Sequence, residues 1–334
     1  MESGMSRVVI ETIARKAIKD IKASPKRSTR NVIDMALQFV NGRFQQEFFR
    51  EAQTMLENEN SAYYRLVYDT VTHVDTERLL HFGMNLGYNS CTLGAKTIRE
   101  WEEKAGFNIP WIVTFEVEQS YFQKYPNRYQ KMIEEGEELG IFTWGIFIDS
   151  EPKEILSLIE LYQDSAFFLC CEADMITEEF VKRILPLDNV VIVVRYGAGM
   201  AKACDILRQN RMLYGVYHIY TNHDVERIIS GELFKEMEKL HPHISILVAD
   251  ITISDKEHKR VYQEVISSRK AQKYQTVIWE LYGDNCYVDE IISGDSCLVC
   301  FDKEGNLYGK KEGKESMNLF YHTMEKILMN AEPK

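Results

Sequence analysis

From residue 80 onward, short apolar runs alternate with amphipathic stretches, and this alternation narrows the open folds more than any other feature of the chain. The runs are "HFGMNLG", "WIVTFEV", "FTWGIFI", "AFFLCCE", "NVVIVVRY", "YGVYHIY", "ISILVAD" and "TVIWELY", with stretches such as "RYQKMIEEGEELG" and "DVERIISGELFKEMEKL" between them. Strands covered on both faces read as continuous apolar runs, and a helix between them returns the chain for parallel pairing. The boundaries agree: Gly140 follows one helix as a C-terminal glycine, Thr177 stands as N-cap before Phe180, and Asp224 precedes the helix after the sixth strand. The fold class expected is α/β with a parallel, TIM-like barrel. It is either a closed (β/α)8 ring or a partial (β/α)6 barrel whose last two strands belong to an extension. An open doubly wound sheet ranks lower, because no glycine-rich dinucleotide turn follows the first strand.

Both flanks read differently. Residues 1–79 are helical in pattern: one helix ending before Pro25, a second bending near Gly42, a third through "SAYYRLVYDTVTHV" and a fourth starting at Asp75. Residues 80–282 are the barrel. Residues 283–334 form an extension, with "IISGDSCLVCFDKEGNLYGK" as a β-hairpin turning at Lys303–Asn306 and "SMNLFYHTMEKILMNA" as a closing helix. The first helix is basic and amphipathic, with Ile10, Ile13, Ala14, Ala17, Ile18 and Ile21 on one face and Arg7, Arg15, Lys16, Lys19 and Lys22 around it. Such a helix packs its apolar face on its own protein, or lies on an anionic surface or acidic partner.

The chain's net charge of −11 argues against a nucleic-acid partner. No apolar run is long enough to span a membrane, and the N-terminus lacks a secretory apolar run. Seven scattered cysteines, odd in number, suit a reducing cytoplasm.

Ligands of parallel barrels bind at the carboxyl ends of the strands. There the sequence places Asn85, Asn89, Glu116, Glu118, Asp149, Glu172, Arg195, His218, Tyr220, Asp250 and Glu280. Two facing carboxylates, Glu172 and Glu280, would suit acid–base or nucleophilic work, with His218 the third catalytic candidate. Asn85, Asn89, Glu116, Glu118 and Arg195 are the ligand-binding candidates, Arg195 for a carboxylate or phosphate. The same polar residues also meet solvent and cap helices in any barrel. Cys297 and Cys300 have zinc-ligand spacing, but residues three apart on a strand face opposite ways and no second pair follows, so no metal site is expected.

The order of motifs in residues 80–310 resembles radical S-adenosylmethionine enzymes carrying a SPASM-type extension. "MNLGYNSCTLGAK" is similar to that family's first strand and cluster loop, which carries Cys-x-x-x-Cys-x-x-Cys. "TFEVEQ" stands where its Gly-Gly-Glu-Pro would be, "EELGIFTWGIFIDS" resembles its next helix–strand unit, and "SGDSCLVCFDKEGNLYGK" looks like the extension's hairpin. The departures matter as much. Cys91 is the only cysteine in the loop, Glu116-Val117 replaces the Gly-Gly, and Ile291 and Lys310 stand where hairpin cysteines would be. A [4Fe–4S] cluster needs cysteine sulfur. The resemblance therefore implies a barrel without its cluster: a non-catalytic or regulatory partner that binds a peptide, a small molecule or another protein. No cofactor is expected, neither S-adenosylmethionine nor an iron–sulfur cluster. The alternative is a barrel hydrolase or lyase that uses the strand-end carboxylates.

Overall fold

The computed structural model describes residues 7–39, 42–150, 153–308 and 317–331. It opens with α1 (Arg7–Ala23), α2 (Pro25–Phe39), α3 (Arg43–Leu56), α4 (Tyr63–His73) and α5 (Thr76–Met84). Pro25 is tolerated because it occupies the first helical position, where its missing N–H would have no partner. The apolar face of α1 is buried: Ile18 and Ile21 pack with Val71 and Leu80, with Ala14, Val32, Val67 and Leu79 around them. Asp75 caps α5, its Oδ1 accepting from the N–H groups of Glu77 (2.9 Å) and Arg78 (3.3 Å).

Helical structure then continues through a π-helical segment, Asn85–Gly94, into α6 (Ala95–Ala105). This corrects the first expected strand: "HFGMNLG" and the supposed loop after it are helix. The remaining seven runs are strands. In chain order they follow as β1 (Ile112–Val117), α7 (Gln119–Lys124), α8 (Arg128–Leu139), β2 (Thr143–Ile148), α9 (Lys153–Leu161), β3 (Ala166–Cys171), α10 (Glu178–Ile184), β4 (Val190–Arg195), α11 (Met200–Gln209), β5 (Tyr214–Tyr220), α12 (Val225–Ile229), α13 (Glu232–Glu238), β6 (Ile244–Ala249), α14 (Asp255–Lys270) and β7 (Val277–Glu280). The chain ends with α15 (Leu281–Ser293), β8 (Val299–Phe301), β9 (Leu307–Tyr308) and α16 (Met324–Ala331). Two more expectations need adjusting. "IIS" closes α15 rather than entering the hairpin, and the last helix starts at Met324, because Asn318 instead ties back to the hairpin turn through Glu304 O and Asn306 Oδ1 (both 2.9 Å).

The strand order is β7-β6-β5-β4-β3-β2-β1-β8-β9, mostly parallel, with β8 and β9 antiparallel. Among the described residues the order has two ends. Two compact units interleave along the sequence. One comprises residues 1–84 and 194–281, the other 85–193 and 282–334. The expected boundaries at 79/80 and 282/283 fall within α5 and α15.

In the first unit β5, β6 and β7 pair in register, His218 with Leu247 and Leu247 with Glu280. In the second, β1 sits between β2 and β8, and Thr114 aligns with both Gly145 and Cys300. Gly140 ends α8 at φ 98°, a conformation that strains any side chain. Thr177 caps α10 by accepting from the Phe180 N–H at 3.1 Å. Asp224 precedes α12 but turns backward, accepting from Thr221 N and Oγ1 at 2.9 Å each.

Candidate functional site

Side chains alternate across a strand, so each sheet has a helix-covered face and an opposite one. On β1, Phe115 meets Tyr129 of α8, ring centroids 5.7 Å apart, and its in-register neighbours Ile146 and Leu169 are fully buried. Thr114 and Glu116 therefore point the other way, in register with Gly145 and Phe147, and next with Phe168 and Cys170. Glu116 is exposed there, and Phe147 and Phe168 are half-buried. Partial burial pushes the Glu116 carboxyl above its usual range, and the nearby Asp302, Glu304 and Asp149 add to this, against the pull of Lys303. Glu118 accepts from Ser120 Oγ at 2.5 Å and lies 3.7 Å from Lys303 Nζ. The second unit thus presents a carboxylate, two aromatic rings and a lysine from the β8–β9 turn.

In the first unit Tyr196 N–H donates to Tyr217 O, which sets Arg195 beside Tyr217, on the face shared with Ile246 and Trp279. Arg195 is exposed and Trp279 half-buried. His218, Tyr220 and Glu280 occupy the other face, the one α14 covers. Glu280 has no exposed surface, and its Oε2 lies 3.1 Å from His258 Nε2, while Tyr220 Oη donates to its Oε1 at 3.2 Å. His218 Nε2 is 3.3 Å from Asp224 Oδ1, and its ring meets Tyr196 edge-on. Burial lowers the His218 pKa, partly offset by Asp224. Two of the three catalytic candidates, Glu280 and His218, are thus turned toward helices. Glu172 is half-buried and belongs to the second unit, whereas Glu280 belongs to the first. Asp250 caps its own turn, accepting from Thr252 N and Oγ1 at 2.8 and 2.5 Å.

Asn85 and Asn89 are displaced from their expected place. Asn85 Nδ2 donates to Gln163 O (2.7 Å) and Ser165 O (2.9 Å), and Asn89 Nδ2 donates to Asp164 O (2.8 Å). Those carbonyls precede β3, so both asparagines sit at the amino ends of the strands. Ser90 accepts from Thr143 at the start of β2 (2.8 Å). A side chain added at Gly94 would lie 2.3 Å from Gly140 O, so the two backbones touch there. The stretch is a fastening, not a loop over a cavity. Cys91 within it is buried, and burial pushes its thiol up to about 12.

His258 and Lys303 were not anticipated. Lys303 belongs to a turn, where sequence pattern says nothing of neighbours. His258 left a signal: it falls three and seven residues before the buried Val261 and Val265, on the stripe α14 turns inward. A surface cavity of about 360 Å³, lined by Leu156, Glu160 and Arg183 among others, includes none of the strand-end candidates.

No protein-family model matches the chain, and no curated protein matches it. Solved structures do. Streptococcus suis SuiB bound to S-adenosylmethionine matches with TM-score 0.51 and 9% identity, covering 71% of this chain and 67% of SuiB. SuiB bound to precursor peptide SuiA matches with the same score and identity over 71% and 68% of the two chains. SuiB alone does so over 84% and 82%. The fold is radical S-adenosylmethionine-like. At this identity the likeness concerns the fold. No helix among the described residues is long and apolar enough to cross a membrane.

Proposed function

We propose that this chain retains a radical S-adenosylmethionine-like fold without the radical chemistry, and acts as a non-catalytic protein that binds a peptide or small molecule. One observation supports the reading. We take β1 as the counterpart of the family's first strand, which the cluster loop follows; the segment joining β1 to β2, residues 118–142, contains no cysteine and so offers no thiolate for a cluster. Cys91, the one cysteine of the stretch that resembles the loop, is buried at the amino ends of β2 and β3 and holds its proton. The donor set does not fit an iron–sulfur cluster, and no step is derived through one.

With β1 as the first strand, Asp149-Ser150-Glu151-Pro152 stands where Gly-Gly-Glu-Pro would be, keeping the Glu-Pro and losing both glycines. SuiB binds S-adenosylmethionine and a precursor peptide. The exposed Glu116 and the half-buried Phe147 and Phe168 on the same sheet face offer a peptide both charge and ring surface. Anaerobic reconstitution with iron and sulfide tests the proposal. The protein should stay colourless, and titration with S-adenosylmethionine should produce no reductive cleavage. About four irons per chain with [4Fe–4S] absorbance would overturn it.

A second reading, a hydrolase or lyase, rests on the fully buried Glu280 against His258, a carboxylate placed to orient an imidazole. It requires that Glu280→Gln abolish a turnover that Glu116→Gln leaves intact.

A further inference from the structure

The α1–α2 hairpin sorts its cations into two sets. Those facing the protein have acids: Arg15 pairs with Glu77 and, at 3.3 Å, with Glu11, while Lys26 and Arg30 reach Glu59 at 3.9 and 3.1 Å. Lys16, Lys19, Lys22 and Arg27 are exposed and make no ion pair among the described residues. Asp20 is the one carboxylate between Lys16 and Arg27. The chain carries 51 acidic against 40 basic side chains, so a run of unpaired cations goes against its overall balance. Lys16, Lys19 and Lys22 lie on α1, whose other face is anchored by Ile18 and Ile21, and Arg27 lies in the first turn of α2.

We propose that this face binds an acidic segment of a partner protein. Charge complementarity selects the occupant. Between Ile10 and Asp34, the stretch that carries the unpaired cations, no large apolar side chain is exposed; the exposed Val8, Val9 and Met35 lie outside it. A membrane or a nucleic-acid duplex would also bring its extended negative field against the acidic remainder of the molecule. A short acidic segment covers only the cations.

The test uses the full chain and fluorescein-labelled oligoglutamate, followed by anisotropy at rising salt. Binding should be present at low salt and weaken as salt rises. The triple variant Lys19→Glu, Lys22→Glu, Arg27→Glu should bind about tenfold or more weakly, and the control Lys202→Glu, Lys235→Glu, Lys256→Glu, with the same charge change elsewhere, should stay within about twofold. The side chains changed are exposed, so both variants should keep the parent melting temperature. No binding at low salt, an equal loss in both variants, or tighter binding to phosphatidylserine vesicles or duplex DNA than to the peptide would each refute the proposal.

Discussion

Just before β6, His243 is buried, with Nδ1 3.1 Å from the Thr70 hydroxyl and its ring edge-on to Tyr214. Burial lowers its pKa to about 4, a shift that the nearby Asp69 only partly opposes. The folded state therefore takes up this proton later than the unfolded chain, whose histidine titrates near 6.5. Stability should be full above that value, fall as pH drops through the window down to about 4, and lose at most about 3 kcal/mol from this group. Asp69 acts in the same direction. Burial raises its pKa, but two hydrogen bonds from Arg208, at 2.6 and 2.8 Å, outweigh this and hold it below the usual carboxylate range. Its contribution is lost at still lower pH. Urea midpoints across pH should fall less steeply for His243→Asn than for the parent between pH 6.5 and 4; identical slopes would show that His243 is not the titrating group.

At the scale of elements, the π-helical segment Asn85–Gly94 makes the strongest prediction. Asn85→Ala would leave the buried Ser165 carbonyl and the part-buried Gln163 carbonyl without their donor, at a cost of about 1–3 kcal/mol. Gly94→Ala should cost about 2 kcal/mol or more, since the added carbon meets backbone and not a side chain that can swing away. Chemical denaturation of both variants measures this, and an unchanged midpoint for either would refute the fastening. The same segment shows where sequence reading stops. Seven strands were legible because a buried parallel strand must be a short apolar run between helices. The first run, "HFGMNLG", failed because its apolar residues Phe82, Met84 and Leu86 alternate, as on a strand, although they lie on helical structure. The polar residues ending the seven strands were legible, whereas Asn85 and Asn89, expected among them, lie on the π-helical segment. The directions of the strand-end side chains were not legible, because whether Glu280 faces α14 or the opposite side depends on one residue of register.

For the whole molecule, the first eighty-odd residues are not an appendage. Asp69, Thr70 and Val71 hold Arg208, His243 and the α1 core within one compact unit. A chain lacking residues 1–79 should lose hydrogen-exchange protection in β5, β6 and β7 while β1, β2 and β3 keep theirs. Equal protection in both sets would mean that the N-terminal helices are dispensable to the unit they pack in.

The interleaving of the two units also sets a timetable. During synthesis α1 to α5 emerge first, yet the strands that complete their unit begin only after residue 193. At ordinary elongation rates of ~5–20 residues per second, the roughly 110 intervening residues keep that apolar helix surface waiting for ~5–20 s. The second unit starts at residue 85 and needs residues beyond 281, so it stays incomplete while the strands of the first unit are being made. Such a chain is a natural client for holding chaperones, and its yield should respond more to translation speed and chaperone supply than its final stability would suggest.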